Sequence, residues 1–276
     1  MMDTGLKDRV VVVTGANHGI GAAAAEAFAA EGAQVFITYL RLPPEDFGIS
    51  HEEARRATTP GKAFYCGIRG ESADQVVQSI RGGGGRAEAW EADLAEPSRI
   101  PELFDRAERT FGPVEVLVNN AAHCVWPSTV LTASAETIDE HFAVNTRAVA
   151  LTMSEYGRRH IERGATWGRV INVSTDAAYR STGNVWYGAS KFAMESISRV
   201  AAKELGPHGI TVNVVSPGPV QTGYITPEQA EEWAADCPLG RLGEPNDVAD
   251  VIIFLASEQA RWITGQVVYV GGGYRM

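Results

Sequence analysis

Two residues of the segment 185–191, Tyr187 and Lys191, have the types and the spacing needed for proton transfer. Side chains four residues apart on a helix lie on the same face, so a phenol and an ammonium here share one small site. A free phenol, with a pKa of about 10, is a poor acid or base at neutral pH, whereas a neighbouring cation stabilises its phenolate. The pair is therefore a candidate acid/base centre, and its weight depends on where the fold places it.

A glycine-rich segment at 14–21 reads T-G-A-N-H-G-I-G and joins an apolar run to an alanine-rich stretch. Glycines at a strand-to-helix turn let the backbone come close to a pyrophosphate held at the helix N-terminus. The same residues would also suit an ordinary turn. The strand and the helix on either side are what make this segment a candidate phosphate-binding loop.

The chain alternates short apolar runs with helical stretches, which predicts a doubly wound α/β sheet, mainly parallel, with helices on both faces. Two runs, 10–13 and 114–118, are continuously apolar, as expected of parallel strands covered on both sides. Ligands of such sheets bind beyond the carboxyl ends of the strands. The predicted strands are 9–14, 34–40, 86–93, 114–119, 169–175, 210–216 and 266–270. The predicted helices are 20–31, 72–80, 98–111, 135–163, 188–205 and 247–257.

The composition is that of one mildly acidic globular unit. With 276 residues, 45% of them hydrophobic, and a formal net charge of -10, we expect a single domain over 1–276 and no nucleic-acid partner. Three cysteines at unrelated spacings suit neither a disulfide framework nor a zinc site, and the six histidines have no metal-ligand spacing. No apolar run has the length of a membrane span or a signal peptide, so we expect a cytoplasmic protein that uses no metal and no membrane.

The connection at 42–71 is unusually long for a link between a strand and a helix. The sequence S-H-E-E at 50–53 has the form of a capping box and predicts a short helix through Ala57. Two interpretations of this insertion stay open. It is either a surface excursion without a role or a flap over the adenosine end of a cofactor or the mouth of a site, because it leaves from the carboxyl edge of the sheet.

Taken together, the motifs resemble those of the short-chain dehydrogenase/reductase family, in particular its 3-oxoacyl-thioester reductases. The resemblance spans 14–273 apart from the insertion and the stretch 123–132. It implies a seven-stranded Rossmann-type fold and an NAD(P)-dependent oxidoreductase that moves a hydride between nicotinamide and a ketone or secondary alcohol, such as a 3-oxoacyl thioester or another apolar ketone. The matching segments are 14–21 (T-G-x-x-x-G-x-G), 119–122 (N-N-A-A, where the family usually reads N-N-A-G), 187–191 (Y-x-x-x-K), 217–222 (P-G-x-x-x-T), 240–249 and 263–266.

The resemblance also implies roles for the residues of the acid/base centre. In this family the tyrosine, here Tyr187, protonates the carbonyl oxygen during reduction. The lysine, here Lys191, lowers the pKa of that phenol and binds the nicotinamide ribose. Asn145 matches the family's helix asparagine, which holds a water of the proton relay.

A hydroxyl at the end of the fifth strand completes the family's catalytic group, and two residues compete for this role. Counting back thirteen residues from Tyr187 gives Ser174. Counting forward along the strand from Arg169 gives Thr175. We favour Thr175 because gaps are rarest inside strands, although either hydroxyl can donate to a substrate oxygen.

For the cofactor, the resemblance implies a groove along the carboxyl edge of the sheet. Asp93 would cap the adenine, and the segment 217–222 would hold the nicotinamide carboxamide. The residues implied are Gly15, Asn17, His18, Gly19, Ile20, Gly21, Tyr39, Arg41, Asp93, Leu94, Asn120, Ala121, Ala122, Tyr187, Lys191, Pro217, Gly218, Val220 and Thr222.

The end of the second strand favours NADP(H), and NAD(H) stays possible. An NAD-selective site needs a carboxylate about 20 residues beyond the glycine turn, which binds the ribose hydroxyls and repels a 2′-phosphate. Thr38 and Arg41 stand there instead, and both can bind a phosphate. His18 would add charge if protonated, whereas the insertion would oppose this preference if it brought Glu45 or Asp46 onto the ribose.

Residues that flank the motifs are expected to line the substrate pocket. Their aromatic character suggests a moderately bulky, largely apolar ketone or alcohol, although the same side chains would also suit a core, Trp233 above all. The candidate pocket residues are His123, Cys124, Trp126, Asp176, Tyr179, Trp186 and Tyr224.

Two rival functions stay open. One is a non-catalytic dinucleotide-binding sensor or scaffold, against which the intact Tyr187 and Lys191 argue. The other is an NAD-dependent epimerase or dehydratase. The sequence S-T-D at 174–176 resembles the segment of sugar-nucleotide dehydratases in which a threonine supplies the hydroxyl. As partners we expect a small-molecule carbonyl or alcohol substrate and further copies of this chain, because the resemblance implies a homo-oligomer, either a tetramer or a dimer.

Overall fold

The computed structural model describes residues 3–180 and 183–274, with Arg180 described by its backbone alone. The strands of this part of the chain are β1 (Val10–Thr14), β2 (Gln34–Tyr39), β3 (Arg86–Glu91), β4 (Val116–Asn119), β5 (Gly168–Val173), β6 (Ile210–Pro217) and β7 (Val267–Val270). They form one seven-stranded sheet in the order β3-β2-β1-β4-β5-β6-β7, and every neighbouring pair is parallel. The predicted doubly wound Rossmann-type sheet is confirmed.

Helices cover both faces of the sheet. Those of the described residues are α1 (Gly19–Ala30), α2 (His51–Arg56), α3 (Lys62–Arg69), α4 (Asp74–Gly82), α5 (Arg99–Phe111), α6 (Ala135–Phe142), α7 (Val149–Glu162), α8 (Ala177–Arg180), α9 (Val185–Leu205), α10 (Pro227–Ala235) and α11 (Pro245–Ala256). α1, α4 and α11 pack on one face, and α5, α7 and α9 pack on the other. No helix in the described part of the chain combines the length and the apolar character that a membrane crossing requires.

Burial of both faces explains why the central strands are continuously apolar. Along β1, Val11 and Val13 belong to the core of one face and Val10 and Val12 to that of the other, and all four are at most 4% exposed. Successive side chains of a strand point to opposite faces, so a strand covered on both sides needs an apolar residue at every position. Each buried valine side chain contributes about 1.5 kcal/mol.

The long helix predicted over 135–163 is wrong in one respect. A π-helical segment, Ala143–Ala148, separates α6 from α7, and it wraps the chain more widely than an α-helix does. The sequence also gave no indication of α3, α8 and α10, while the predicted third and fifth strands end earlier, at Glu91 and Val173. These differences fall in loops and element ends, where neighbouring elements decide the local conformation.

The insertion folds as a small helical unit. The predicted short helix is present and Ser50 is its N-cap, because the Ser50 hydroxyl accepts a hydrogen bond of 3.1 Å from the backbone amide of Glu53 at the start of α2, which is one of the two hydrogen bonds of a capping box. A small core of Ile49, Ala54 and Cys66 holds α2 against α3. The insertion is thus an ordered part of the fold and has apolar contacts of its own.

The insertion connects two segments at the carboxyl edge of the sheet. On one side, the side-chain amide of Asn17 donates to the carbonyl of Glu71 at 3.0 Å. On the other side, the backbone amide of Gly61 donates to the carbonyl of Gly223 at 2.9 Å. The insertion therefore bridges the glycine-rich loop and the segment that follows β6, which is the position expected of a flap at the mouth of a site.

Candidate active site

The glycine-rich loop is as tightly packed as a phosphate cradle requires. Gly15 and Gly19 have φ angles of +64° and +58°, a conformation that favours glycine. A Cβ atom on Gly21 would lie 2.4 Å from the carbonyl oxygen of Gly15 and 2.5 Å from the amide nitrogen of Asn120. The side chain of His18, which precedes α1, makes no capping hydrogen bond, so the first backbone amides of α1 stay available to an anion.

The side chain of Asn120 supports this loop directly. Its side-chain amide donates to the carbonyls of Thr14 and Gly15, at 3.0 Å and 2.9 Å. Sequence reasoning placed Asn120 among the cofactor residues. The structure commits its side chain to the backbone of the loop, because β4 follows β1 in the sheet and brings the two strand ends together.

The side chains of several other implied cofactor residues are engaged within the protein. Leu94 and Val220 are 8% and 5% exposed, and their side chains belong to the two cores. Asp93 accepts a hydrogen bond of 2.8 Å from the backbone amide of Ala95, which fixes the turn after β3. A Cβ on Gly19 would lie 3.2 Å from the methyl carbon of Thr222, so the glycine-rich loop and the segment after β6 face each other across a narrow gap.

The predicted pair lies on the first turns of α9, beside the end of β5. Lys191 is 1% exposed, its ammonium donates to the carbonyl of Val173 at 2.7 Å, and it lies 6.0 Å from the centre of the Tyr187 ring. Burial lowers the pKa of Lys191 to about 8. Burial also raises the pKa of Tyr187 well above its ordinary value, and the negative charge that neighbouring thiol, phenol and carboxyl groups would carry raises it further. The phenol is thus neutral and holds a proton.

Asn145 is fully buried in the π-helical segment. Its side chain accepts a hydrogen bond of 2.9 Å from the backbone amide of His123 and donates to the carbonyl of the same residue at 2.8 Å. It also donates to the hydroxyl of Ser190 on α9 at 3.0 Å. Asn145 therefore fixes the loop after β4 against the helix that carries Tyr187, and its expected part in a water relay stays a prediction.

The two competing hydroxyls have different surroundings. Ser174 is 4% exposed and donates to the buried carboxylate of Glu195 on α9 at 2.6 Å. Thr175 lies beyond the end of β5, is partly exposed, and makes only local contacts, a 3.2 Å hydrogen bond to Asp176 and one of 3.2 Å from the amide of Ala177. The Ser174 hydroxyl is therefore held in a short, buried contact, whereas that of Thr175 is partly exposed and its contact with the neighbouring carboxylate is longer.

Three residues that were expected to line the substrate pocket have other surroundings in the structure. The hydroxyl of Tyr179 donates to Glu195 at 2.5 Å, because α8 turns back onto α9, so its placement in the pocket is wrong. The imidazole of His123 turns towards α6, with its Nε2 atom 3.5 Å from the carboxylate of Glu140. Trp126 is 68% exposed at the outer edge of the site.

Residues from three loops and from α3 lie near the Tyr187 phenol. The side chains whose charges act on the Tyr187 phenol are those of Cys124, Tyr224, Tyr65 and Asp176. Trp186 precedes Tyr187 in the chain and is half-buried. Its indole N–H makes no hydrogen bond within the described residues. Cys124, Tyr224 and Asp176 are thus near the phenol, and their role in binding a substrate stays a prediction, as does that of Trp186.

Tyr65 was missed because it lies in the insertion, outside every matching motif. Its ring lies 5.8 Å from that of His18 and 5.7 Å from that of Tyr224, both edge to face. The guanidinium of Arg69, one turn further along α3, lies 5.3 Å from the Tyr65 ring centre. The only sequence signal was the position of the insertion at the carboxyl edge of the sheet.

Three titratable groups near the end of β2 and the glycine-rich loop bear on the cofactor preference, and the expectation that Arg41 is free to pair with a phosphate needs correction. Arg41 is paired with Glu91 of the adjacent β3, with its Nε atom 3.0 Å from both carboxylate oxygens, so it is not a free cation. Burial lowers the pKa of His18 to about 4, so this imidazole is neutral and adds no charge. Glu45 accepts a hydrogen bond of 3.1 Å from the amide of His51 at the start of α2, and is therefore engaged within the insertion.

Comparison with known proteins agrees with this geometry. The family model described as Enoyl-(Acyl carrier protein) reductase matches residues 44–275. An NADPH-dependent aldehyde reductase-like protein of Arabidopsis thaliana is 37% identical over 278 residues, covering 98% of this chain and 95% of the relative. A 3-oxoacyl-(acyl-carrier-protein) reductase of Aquifex aeolicus is 30% identical over 277 residues, covering 99% of each chain.

Solved structures agree in fold over nearly the whole length. A short-chain dehydrogenase/reductase of Serratia marcescens has a TM-score of 0.80 at 29% identity, and a blue fluorescent protein from a metagenomic library, in complex with NADPH, has 0.79 at 30%. Both comparisons cover 98% of this chain and 99% of the other. The chain belongs to the short-chain dehydrogenase/reductase family. It is an NAD(P)-dependent oxidoreductase that acts on carbonyl and alcohol groups.

The packing at Gly21 generates a test of the cradle. We expect Gly21→Ala to lower the free energy of unfolding by about 1 to 3 kcal/mol, because the new methyl group overlaps the carbonyl of Gly15 and forces the loop apart. The matched control is Gly83→Ala, where the added Cβ would meet its nearest atom at 3.5 Å, an ordinary contact. Urea unfolding of both variants measures the difference. Equal stability would mean that the loop has room for a side chain.

Proposed function

We propose that this chain reduces an apolar carbonyl compound, or oxidises the matching alcohol, with NADP(H) as the hydride carrier and Tyr187 as the acid/base. The observation that carries the proposal is the position of the Tyr187 phenol. Its ring centre lies 6.0 Å from the Lys191 ammonium, which is itself hydrogen-bonded to the carbonyl of Val173 at the carboxyl end of β5. The glycine-rich loop follows β1 at the same edge of the sheet, so its backbone would hold the pyrophosphate of a dinucleotide and Tyr187 and Lys191 would lie on the nicotinamide side.

The bound cofactor supplies the hydride that is exchanged with the carbonyl carbon. Tyr187, whose burial keeps the phenol protonated, donates its proton to the carbonyl oxygen as negative charge develops there. The hydroxyl of Thr175 donates to the same oxygen and orients the substrate. The Lys191 ammonium stabilises the phenolate that results and holds the ribose next to it.

Several observations support NADP(H) as the cofactor. The hydroxyl of Thr38 is buried and makes no hydrogen bond within the described residues, which leaves it free to donate to a phosphate. Arg41 neutralises Glu91, so the end of β2 carries no uncompensated carboxylate that would repel a 2′-phosphate. Relatives named for NADPH dependence, and similar structures holding NADPH or NADP, point the same way.

The pocket lining supports a substrate without charge at its reacting end. Tyr65 and Tyr224 present aromatic surface near the phenol, and a pocket of this kind binds an apolar carbonyl compound by shape and burial. A sensor or scaffold would not need a buried ammonium, which costs desolvation energy, so the rival without catalysis is disfavoured.

The assembly and the compartment belong to the same proposal. We infer a homo-oligomer, because large apolar side chains such as Phe192, Val200 and Phe254 are 45% to 53% exposed on α9 and α11. We infer a cytoplasmic protein, because Cys66, Cys124 and Cys237 are all free thiols, as in a reducing compartment.

Removing the phenol hydroxyl tests the proposed acid. We expect Tyr187→Phe to lower turnover of a ketone and aldehyde panel by about 100-fold, because only the proton donor is lost. The dissociation constant of NADPH, measured by fluorescence titration, should stay within about twofold of the wild type. Turnover close to the wild type would remove Tyr187 from the mechanism.

The two hydroxyls at the end of β5 are separated by their alanine variants. We expect Thr175→Ala to lower kcat by about 100-fold because the donor to the substrate oxygen is lost. Ser174→Ala should lower kcat by about 10-fold or less, because this hydroxyl is held by Glu195 and acts only through position. Steady-state kinetics on one substrate decides, and the reverse order would assign the catalytic hydroxyl to Ser174.

The cofactor preference is tested by titrating NADPH and NADH into the wild type and Arg41→Ala. We expect tighter binding of NADPH in the wild type and a loss of roughly tenfold for NADPH alone in the variant, because removing Arg41 leaves the Glu91 carboxylate uncompensated, and that charge would repel the 2′-phosphate. Tighter NADH binding in the wild type, unchanged by the substitution, would show that the end of β2 does not select the phosphate.

A further inference from the structure

A buried carboxylate, that of Glu195, lies within two helical turns of the acid/base pair Tyr187 and Lys191. Glu195 follows Lys191 by one turn on α9, and its side chain is fully buried. Two neutral hydroxyls donate to it, Ser174 at 2.6 Å and Tyr179 at 2.5 Å. Its only direct cationic contact within the described residues is the partly exposed guanidinium of Arg199 at 3.8 Å.

A carboxylate in this position is costly for the fold. Taking an ionised group out of water is expensive unless hydrogen bonds and opposite charge compensate it, and an apolar residue would fill the same space more cheaply. The compensation at Glu195 is partial, because hydroxyls carry no charge and Arg199 lies beyond hydrogen-bond distance. The nearest buried cation along the helix is Lys191.

The contacts of Glu195 lead directly to the catalytic residues. Ser174, which it holds, lies between Val173 and Thr175 in the chain. Val173 provides the carbonyl that accepts the hydrogen bond of Lys191, and Thr175 carries the hydroxyl proposed to bind the substrate oxygen. One carboxylate therefore fastens the end of β5 to the helix that carries the acid/base pair.

We propose that Glu195 is a positioning residue of the reaction, whose carboxylate fixes the 173–175 segment through Ser174 and whose negative charge keeps the Lys191 ammonium protonated. This inference rests on the proposed function, because it assigns Glu195 a part in the same proton transfer. The hydrogen bonds and the ion pair of Glu195 within the described residues go to Ser174, Tyr179 and Arg199, so it acts on the reaction through its neighbours.

The electrostatic part has a definite sign. Among the described residues, the titratable groups that act on Lys191 are Tyr187 and Glu195 on its own helix and Cys124 from the loop after β4, while β5 presents the neutral carbonyl of Val173. Burial lowers the pKa of Lys191 to about 8, and the charge of Glu195 opposes that decrease. Removing the charge lowers the pKa further, so the ammonium is lost at a lower pH.

The direct test is the titration of Lys191 in the apoprotein by NMR of ¹³C-labelled lysine. The chain has only four lysines, Lys7, Lys62, Lys191 and Lys203, and the spectrum of Lys191→Met assigns the signal. We expect Glu195→Gln, which keeps the shape and one acceptor, to lower the pKa of Lys191 by about one pH unit. Glu204→Gln, an exposed glutamate on the same helix, is the matched control and should leave it unchanged.

Kinetics give the second readout. Because the pKa of Lys191 is about 8, a decrease of about one pH unit makes the ratio of wild-type to Glu195→Gln kcat grow from about 2 at pH 7 to about 5 at pH 8. A merely structural defect would lower kcat by the same factor at every pH. An unchanged pKa in the NMR titration, or a ratio independent of pH, overturns the electrostatic part of the proposal.

Ser174→Ala tests the tether separately, and it decides the question if Glu195→Gln does not fold. We expect kcat about 3- to 10-fold lower at every pH, with the pKa of Lys191 within about 0.2 of the wild type, because the charge is kept and the contact is lost. Wild-type kcat in this variant overturns the tether. Failure of the proposed function is distinguishable, since the wild type would then reduce no carbonyl compound with NADPH while the NMR titration still reports on Glu195.

Discussion

A single hydrogen bond between a buried ammonium and a strand carbonyl organises this active site. Lys191 has almost no access to water, so its charge must be compensated by the protein, and the carbonyl of Val173 at 2.7 Å does so directly. That contact sets the distance between α9 and the last residue of β5. Tyr187, one turn earlier on the helix, is thereby fixed near the strand end, where we propose that the hydroxyl of Thr175 binds the substrate oxygen.

The second constraint is the lack of space around the glycine-rich loop. Gly21 packs against the carbonyl of Gly15 and the side chain of Asn120, so the loop is fixed by backbone contacts from β1 and β4 together. The exposed amides of α1 then face the carboxyl edge of the sheet. The anion cradle and the acid/base pair thus lie on the same edge, and a dinucleotide is long enough to reach both.

The insertion adds residues to this site that the family motifs do not include. It is anchored at Asn17 and at Gly223, and between these anchors α3 places Tyr65 against His18 and Tyr224. The aromatic wall of the pocket therefore has contributions from a segment that the family motifs do not include. Differences in substrate between this chain and its relatives are expected to arise in such segments, because the strands and the acid/base pair leave little freedom for change.

Local physics let the sequence by itself determine the parallel sheet, the glycine cradle and the Tyr187–Lys191 pair. Apolar periodicity, the small size of glycine and the four-residue spacing on a helix are properties of contiguous residues. Only the tertiary structure decided that Ser174 turns to Glu195, 21 residues away, and that Arg41 pairs with Glu91, 50 residues away. These two contacts depend on which helices and strands become neighbours in the folded chain. The partner of a side chain that lies tens of residues away in the sequence is therefore decided by packing and cannot be predicted from residue spacing.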